Sequence, residues 1–280
     1  LEDPVTQLVN DPVNAIGKSP GDSGNRYALI TGASAGLGAE FARQLASMGK
    51  KLILVARRED RLQTLAESLK KQYQIDSEII VADLSEKDAG KKIADTCLSA
   101  GWRVDWLVNN AGIAGPDLLQ DRDWNEQQNF FQLMMLSVAD LCHRLIPGMV
   151  ERNYGRVINV ASVAARVPRA GGCNYGPAKA YLVALSEELN LTVAAYGVNV
   201  AALCPGFTHT DFHETAGLMD MKNNMAKWLW YDASVVVRDG IKGVEAGRSV
   251  VVSGRLYRWL DPIFQSVWTR RLLRIKARPE

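Results

Sequence analysis

Four cysteines in 280 residues, at positions 97, 142, 173 and 204, are too few and too widely separated for a disulfide framework. None falls in a metal-ligand spacing, so no metal is expected, and a reducing compartment, the cytoplasm, is the expected location. Net charge is only +2, which gives bulk electrostatics nothing with which to hold nucleic acid. No basic segment followed by an apolar run opens the chain, and no stretch reaches the length expected of a membrane span. Neither a secretory leader nor a transmembrane helix is therefore expected. Internal repeats and a second domain are also missing. What is present is an apolar fraction of 47% against 23% charged residues, which excludes general disorder. The length suits one large domain with a substantial core.

Residues 1–26 hold Pro4, Pro12, Gly17, Pro20, Gly21 and Gly24 among polar spacers and read as an extension. Regular structure starts with the apolar strand Tyr27–Thr31, and a helix over 36–48 follows, turning Leu37, Phe41, Leu45 and Met48 inward. Further strands are predicted at Lys51–Ala56, Glu78–Ala82, Val104–Asn109, Gly155–Ala161, Val198–Cys204 and Ser249–Val252. Helices are predicted over 59–72, 86–100, 124–149, 178–196 and 232–245. Continuous apolar strands alternating with helices imply an α/β fold, a Rossmann-type doubly wound, mostly parallel sheet covered on both faces. The main domain is expected over 27–254, with a lid at about 209–231 and a tail over 255–280.

A glycine-rich turn, Thr31 to Gly38, joins the first strand to its helix. Gly32, Gly36 and Gly38, with Ser34, Ala35 and Leu37 between them, leave room for a pyrophosphate to approach the free N–H groups of a helix start. After the second strand, where many NAD sites carry an acid, the chain reads Arg57-Arg58. Two guanidiniums there suit a 2′-phosphate and favour NADPH over NADH, although Arg58 reads equally well as a solvent-facing side chain. Asp83, followed by Leu84, is placed to meet the adenine, and Asn110, Ala111 and Gly112 to line the nucleotide.

The Thr31–Gly38 turn, Asn109-Asn110-Ala111-Gly112, Ser162, Tyr175-x-x-x-Lys179, and Pro205-Gly206 with Thr208 and Thr210 occur together in this order. On these motifs the chain resembles the classical short-chain dehydrogenase/reductase family over roughly residues 26–255. The resemblance implies a nucleotide-binding sheet, NADP(H) as cofactor, hydride exchange between a carbonyl and an alcohol, and a homodimer or homotetramer. It implies Tyr175 as proton donor and Ser162 as the group polarising the substrate oxygen. Lys179, one helical turn on, is expected to lower the phenol pKa and hold the nicotinamide ribose, with Pro205, Gly206 and Thr208 passing the nicotinamide. One family feature is missing. The asparagine that usually opens the long helix and holds a proton-relay water corresponds here to Met134, whose thioether donates no hydrogen bond. His209 reads as positional rather than catalytic.

The segments 163–172 and 209–231 are expected to wall the substrate. Phe212, Leu218, Met219, Trp228 and Trp230 suit a ketone or acyl chain with a sizeable apolar part, and equally suit packing of the lid itself. In residues 255–280, seven basic side chains stand against Asp261 and Glu280, so this segment carries +5 and the remainder −3. Mixed with Trp259, Ile263 and Trp268, these charges fit peripheral attachment to an anionic membrane, and equally fit a subunit interface. Pro262 is expected to divide the tail into two short helices. The function expected is NADPH-dependent reduction of the carbonyl of an apolar substrate, or the reverse. The alternative is a nucleotide-binding protein of little turnover that acts through protein or membrane contacts.

Overall fold

The computed structural model describes residues 25–167, 174–209, 230–266 and 268–269. Most of the expected extension and lid, the wall segment 168–173, Thr210, Cys173 and the tail beyond 269 lie outside the described residues. Seven strands, β1 (Arg26–Thr31), β2 (Lys51–Ala56), β3 (Ser77–Val81), β4 (Arg103–Asn109), β5 (Gly155–Val160), β6 (Val198–Cys204) and a later edge strand (Val250–Val252), form one sheet. All neighbouring pairs are parallel, in the order β3-β2-β1-β4-β5-β6 and then the edge strand. The period-two alternation of strand side chains divides each strand between two cores. Ala28 and Ile30 of β1 point to one face, Tyr27 and Leu29 to the other.

Helices α1 (Gly36–Ser47) and α2 (Glu59–Tyr73) cover the first face with Phe41, Leu45, Leu62 and Leu69. Helix α3 (Ala89–Ser99) covers the second, with Ile93 and Cys97. There too lie the long helical stretch α4 (Trp124–Phe131), a π turn (Gln132–Leu136) and α5 (Ser137–Glu151), then α6 (Tyr175–Val193). Two three-residue strands, β7 (Phe207–His209) and β8 (Trp230–Asp232), pair outside the main sheet, and α7 (Ala233–Glu245) returns to the first face. The edge strand, β9, then leads into α8 (Arg255–Gln265). The chain leaves β1 towards β2 on one side and resumes at β4 on the other. This reversal opens a crevice at the carboxyl ends of β1 and β4, where such sheets bind ligands.

Several expectations change. Met48 is 47% exposed, because it lies just past the end of α1, and the inward stripe runs instead through Ala39, Phe41, Ala42 and Leu45. The single helix expected over 124–149 is interrupted by the π turn. Contrary to the expectation of no span-length stretch, Trp124–Glu151 is long and apolar enough to cross a membrane. Half of its apolar window is buried in this domain, and a helix laid against a sheet core needs the same composition. Helix α6 begins three residues early, since Pro177 falls in its first turn, where no helical donor is lost. In α8, Pro262 falls in the last turn, so the helix runs past it to Gln265 instead of breaking.

Burial sets the alkaline limit of this core. Cys97, Cys142 and Cys204 are buried, and desolvation pushes each thiol up to about 12 from 9.0. A raised folded-state value gives stability that is complete below the unfolded value and is lost as pH climbs towards the folded one. Lys179, pulled down by burial to about 8, acts in the opposite sense, but it is one group against three. The urea midpoint is expected to fall between about pH 8 and about pH 10, with a flatter profile when the three cysteines are replaced by alanine. Equilibrium denaturation at the two pH values checks this; identical profiles for both proteins would refute it.

Candidate active site

The strand-to-helix turn after β1 has no space to spare. Gly32 and Gly36 take φ of +64° and +54°, the left-handed region that favours glycine. A Cβ on Gly38 would sit 2.2 Å from the carbonyl oxygen of Gly32. The loop after β4 is bonded into this turn. Asn110 Nδ2 donates to the carbonyls of Thr31 (3.0 Å) and Gly32 (3.3 Å), while Thr31 Oγ1 accepts from the N–H groups of Asn110 (2.9 Å) and Ala111 (3.1 Å). At the start of α1, Ala35 supplies no side-chain cap, so the first-turn N–H groups face the crevice without one.

Arg58 is exposed, as its solvent-facing reading has it, and its Nη2 also reaches the glycine turn, donating to Ser34 Oγ at 2.9 Å. Arg57 pairs with Asp83 at 3.6 Å. Asp83 also accepts from the N–H (2.9 Å) and hydroxyl (2.7 Å) of Ser85. Partial burial raises its carboxyl, but the bonds from Ser85 and the charge of Arg57 outweigh that and hold it below the usual range. Leu84 is buried with the core.

Across the crevice, Ser162 follows β5 and caps a single 3₁₀ turn by accepting from Ala164 N–H at 3.1 Å. Its side chain also bonds Tyr175, the first residue of α6. Lys179, one turn along α6, is buried and donates through Nζ to the Val160 carbonyl at 2.7 Å. Nζ stands 5.8 Å from the centre of the Tyr175 ring. The expected lowering of the phenol by the lysine is not found in this arrangement. Burial pushes Tyr175 up to about 12 against the opposing bond from Ser162, and burial pulls Lys179 down to about 8.

Met134 is buried in the π turn, so the helix opens here without an asparagine. Its sulfur accepts from Ile113 N–H at 3.4 Å and lies 3.2 Å from where a Gly112 Cβ would stand, with Lys179 Nζ 3.7 Å from the same point. Thioether, glycine and lysine therefore meet at one place. Pro205 accepts from Val163 N–H at 3.0 Å, and buried Thr208 donates to the Gly206 carbonyl at 3.0 Å, which ties both to the rim. His209, exposed on β7, stacks on Trp230 at 5.2 Å.

Sequence reasoning missed two features. The first is a buried relay behind the site: Asn109 Nδ2 donates to Asn159 Oδ1 at 2.9 Å, and Asn159 Nδ2 to Ser186 Oγ at 2.9 Å. The second is a clamp on the rim. Asp261 of α8 accepts both Arg166 Nε and Arg166 Nη2, the latter at 2.7 Å, and Gln265 Nε2 donates to the Arg166 carbonyl at 3.1 Å. Tyr257 of the same helix fills the space that a side chain on Gly206 would need. The available signal was that Asp261 is the one acid between 255 and 279 in a basic segment. Asp261→Asn leaves Arg166, 16% exposed, without its counter-charge and is expected to cost about 2 kcal/mol of stability. Urea denaturation checks this, and an unchanged midpoint would mean the pair contributes nothing.

The chain is 33% identical over 186 residues to sulfoacetaldehyde reductase 2 of Chromohalobacter salexigens, covering 66% of this chain and 73% of that protein. A short-chain dehydrogenase from Sphingobium yanoikuyae, solved in complex with NADPH, matches with TM-score 0.75 and 28% identity, over 84% of this chain and 91% of the other. A bulky-bulky ketone specific alcohol dehydrogenase from Comamonas testosteroni matches with TM-score 0.71 and 25% identity, over 87% and 93%. The sequence pattern of the short chain dehydrogenases matches residues 26–220, which cover the glycine turn, Ser162, Tyr175 and Lys179. The chain belongs to the short chain dehydrogenase family.

Proposed function

We propose that this protein is an NADP(H)-dependent oxidoreductase that reduces the carbonyl of a substrate with a sizeable apolar part, or oxidises the corresponding alcohol. The observation that carries the reading is the convergence of Ser162, Tyr175 and Lys179 across the crevice from the glycine turn. The turn fits a dinucleotide: Gly38 has no room for a Cβ, and Arg58 and Ser34 present donors where a 2′-phosphate would lie. The NADPH complex of the Sphingobium relative supports the same choice of nucleotide. When bound, the nicotinamide supplies or takes up hydride at the carbonyl carbon.

The protein's own groups manage the oxygen and the proton. Ser162 is positioned to donate to the substrate oxygen where negative charge accumulates. Burial keeps the Tyr175 phenol protonated at neutral pH, as a donor to the developing alkoxide must be. Lys179, with its value near 8, is charged at neutral pH and favours the phenolate left behind. Val163, Ala164 and Ala165, half-buried beside Ser162, give the described wall an apolar character, and the ketone specificity named for the Comamonas relative agrees with this. Assembly as a homodimer or homotetramer in the cytoplasm completes the reading. A nucleotide-binding role without turnover is less well supported, because Ser162 bonds Tyr175 and Lys179 follows one helical turn on, its Nζ 5.8 Å from the Tyr175 ring.

Calorimetric titration with NADPH and NADH, together with a carbonyl screen, tests the proposal. NADPH should bind more tightly, and Tyr175→Phe should lower carbonyl-dependent NADPH oxidation by roughly 10²–10⁴ with NADPH affinity intact. Unchanged activity in Tyr175→Phe would show that the assigned acid is wrong. Failure to bind either nucleotide would remove the redox reading. Met134→Asn, which restores a donor beside Lys179, should raise kcat severalfold while leaving NADPH affinity unchanged. Steady-state kinetics decide, and an equal or lower kcat would mean that proton supply through this point does not limit the rate.

A further inference from the structure

Helix α8 has two faces with different tasks. Its inner face is anchored: Tyr257 is buried against Gly206, Asp261 holds Arg166, and Arg258 donates to the Val252 carbonyl and to Asp239, both at 3.3 Å. Its outer face carries Arg255, Trp259, Pro262 and Ile263, spaced to share one side of a helix, and all are exposed. Trp259 is 84% exposed and Ile263 44%; just beyond the helix, Trp268 is 88% exposed. Two indoles held almost wholly in water are a costly arrangement for a surface with no partner.

We propose that this face docks on a lipid bilayer containing anionic headgroups. Indole rings favour the boundary between headgroups and acyl chains, and arginines beside them meet the headgroup charge. Residues 255–280 carry +5 while the rest of the chain carries −3, so the charge that an acidic membrane attracts falls in the same stretch of sequence as the exposed indoles. A second copy of the chain is a poorer occupant. A two-fold contact through this face would set Arg255 against its own copy in a pair of chains whose sequence from 255 onward is each +5, and like charges oppose such a contact. The anchored inner face fixes the direction of docking. Because α8 packs on Gly206 and Arg166, attachment brings the rim of the catalytic crevice next to the bilayer.

The test uses the full chain, since truncation after Gly254 would remove Tyr257 and Asp261 along with the indoles. Sedimentation with vesicles of phosphatidylcholine, alone or with an equal share of phosphatidylglycerol, measures binding. The protein should pellet with the mixed vesicles and not with phosphatidylcholine alone, and added salt should weaken the binding. Trp259→Ser combined with Trp268→Ser should weaken it roughly tenfold without changing NADPH affinity. The proposal is overturned if the unaltered chain does not pellet with anionic vesicles, or if the double variant binds them equally well. It is also overturned if light scattering shows that the double variant has lost a subunit, since the face is then an intersubunit contact. None of these readouts depends on the carbonyl reaction, so failure here and failure of the redox reading are separable.

Discussion

The seam between the glycine turn and the Asn110 loop is the contact on which the rest of the crevice depends. Four hydrogen bonds, from Asn110 and Ala111 to Thr31 and Gly32, join the ends of β1 and β4 where the sheet reverses direction. The seam closes only because Gly32 and Gly38 carry no Cβ: an added carbon would fall 2.9 Å and 2.6 Å from Asn110 Nδ2. Any side chain at either position would displace both loops at once. Gly112, two residues past Asn110, then fixes where Met134 and Lys179 meet it. The two halves of the crevice are thus one mechanical unit.

Burial rather than charge governs the chemistry on the far side. Lys179 and Tyr175 lie on adjacent turns of α6, but the ammonium spends its short hydrogen bond on Val160 and stays 5.8 Å from the ring centre. Desolvation then moves the two groups in opposite directions, to a phenol near 12 and an amine near 8, which widens the interval between them and disfavours proton exchange. Ser162 offsets this in part by bonding the tyrosine. Groups that enter the crevice with the substrate and nucleotide therefore have a large effect to exert, since the resting environment favours the protonated phenol so strongly.

Much of this was readable from the chain itself, for a physical reason. Parallel strands buried on both faces must be continuously apolar, and β2 and β6 stand at the residues expected of them. The glycine turn was readable because its constraint is local, a strand folding directly into a helix. Local patterns failed where the deciding contact is remote. The π turn depends on how Met134 packs under Gly112, and the position of Arg58 depends on Ser34, twenty-four residues away. Trp124–Glu151, expected as a helix and not as a span, is apolar enough for either, because the same composition serves a core helix and a membrane span.

The Arg166–Asp261 clamp shows why the C-terminal helix cannot be considered apart from the catalytic domain. Asp261 is surrounded in sequence by arginines, and in any exposed setting an acid there would serve chiefly to reduce the local charge. Here its carboxylate instead reaches the turn that follows Ser162, with both partners largely shielded from water, where the pairing is stronger than at a surface. Gln265 reinforces the same turn from one helical turn further on. The helix thus holds the position of the Ser162 turn from the outside, while Tyr257 does the same for Gly206. A force applied to the outer face of α8 reaches the rim of the crevice through these two contacts, while Arg258 passes it to β9 and α7 through Val252 and Asp239.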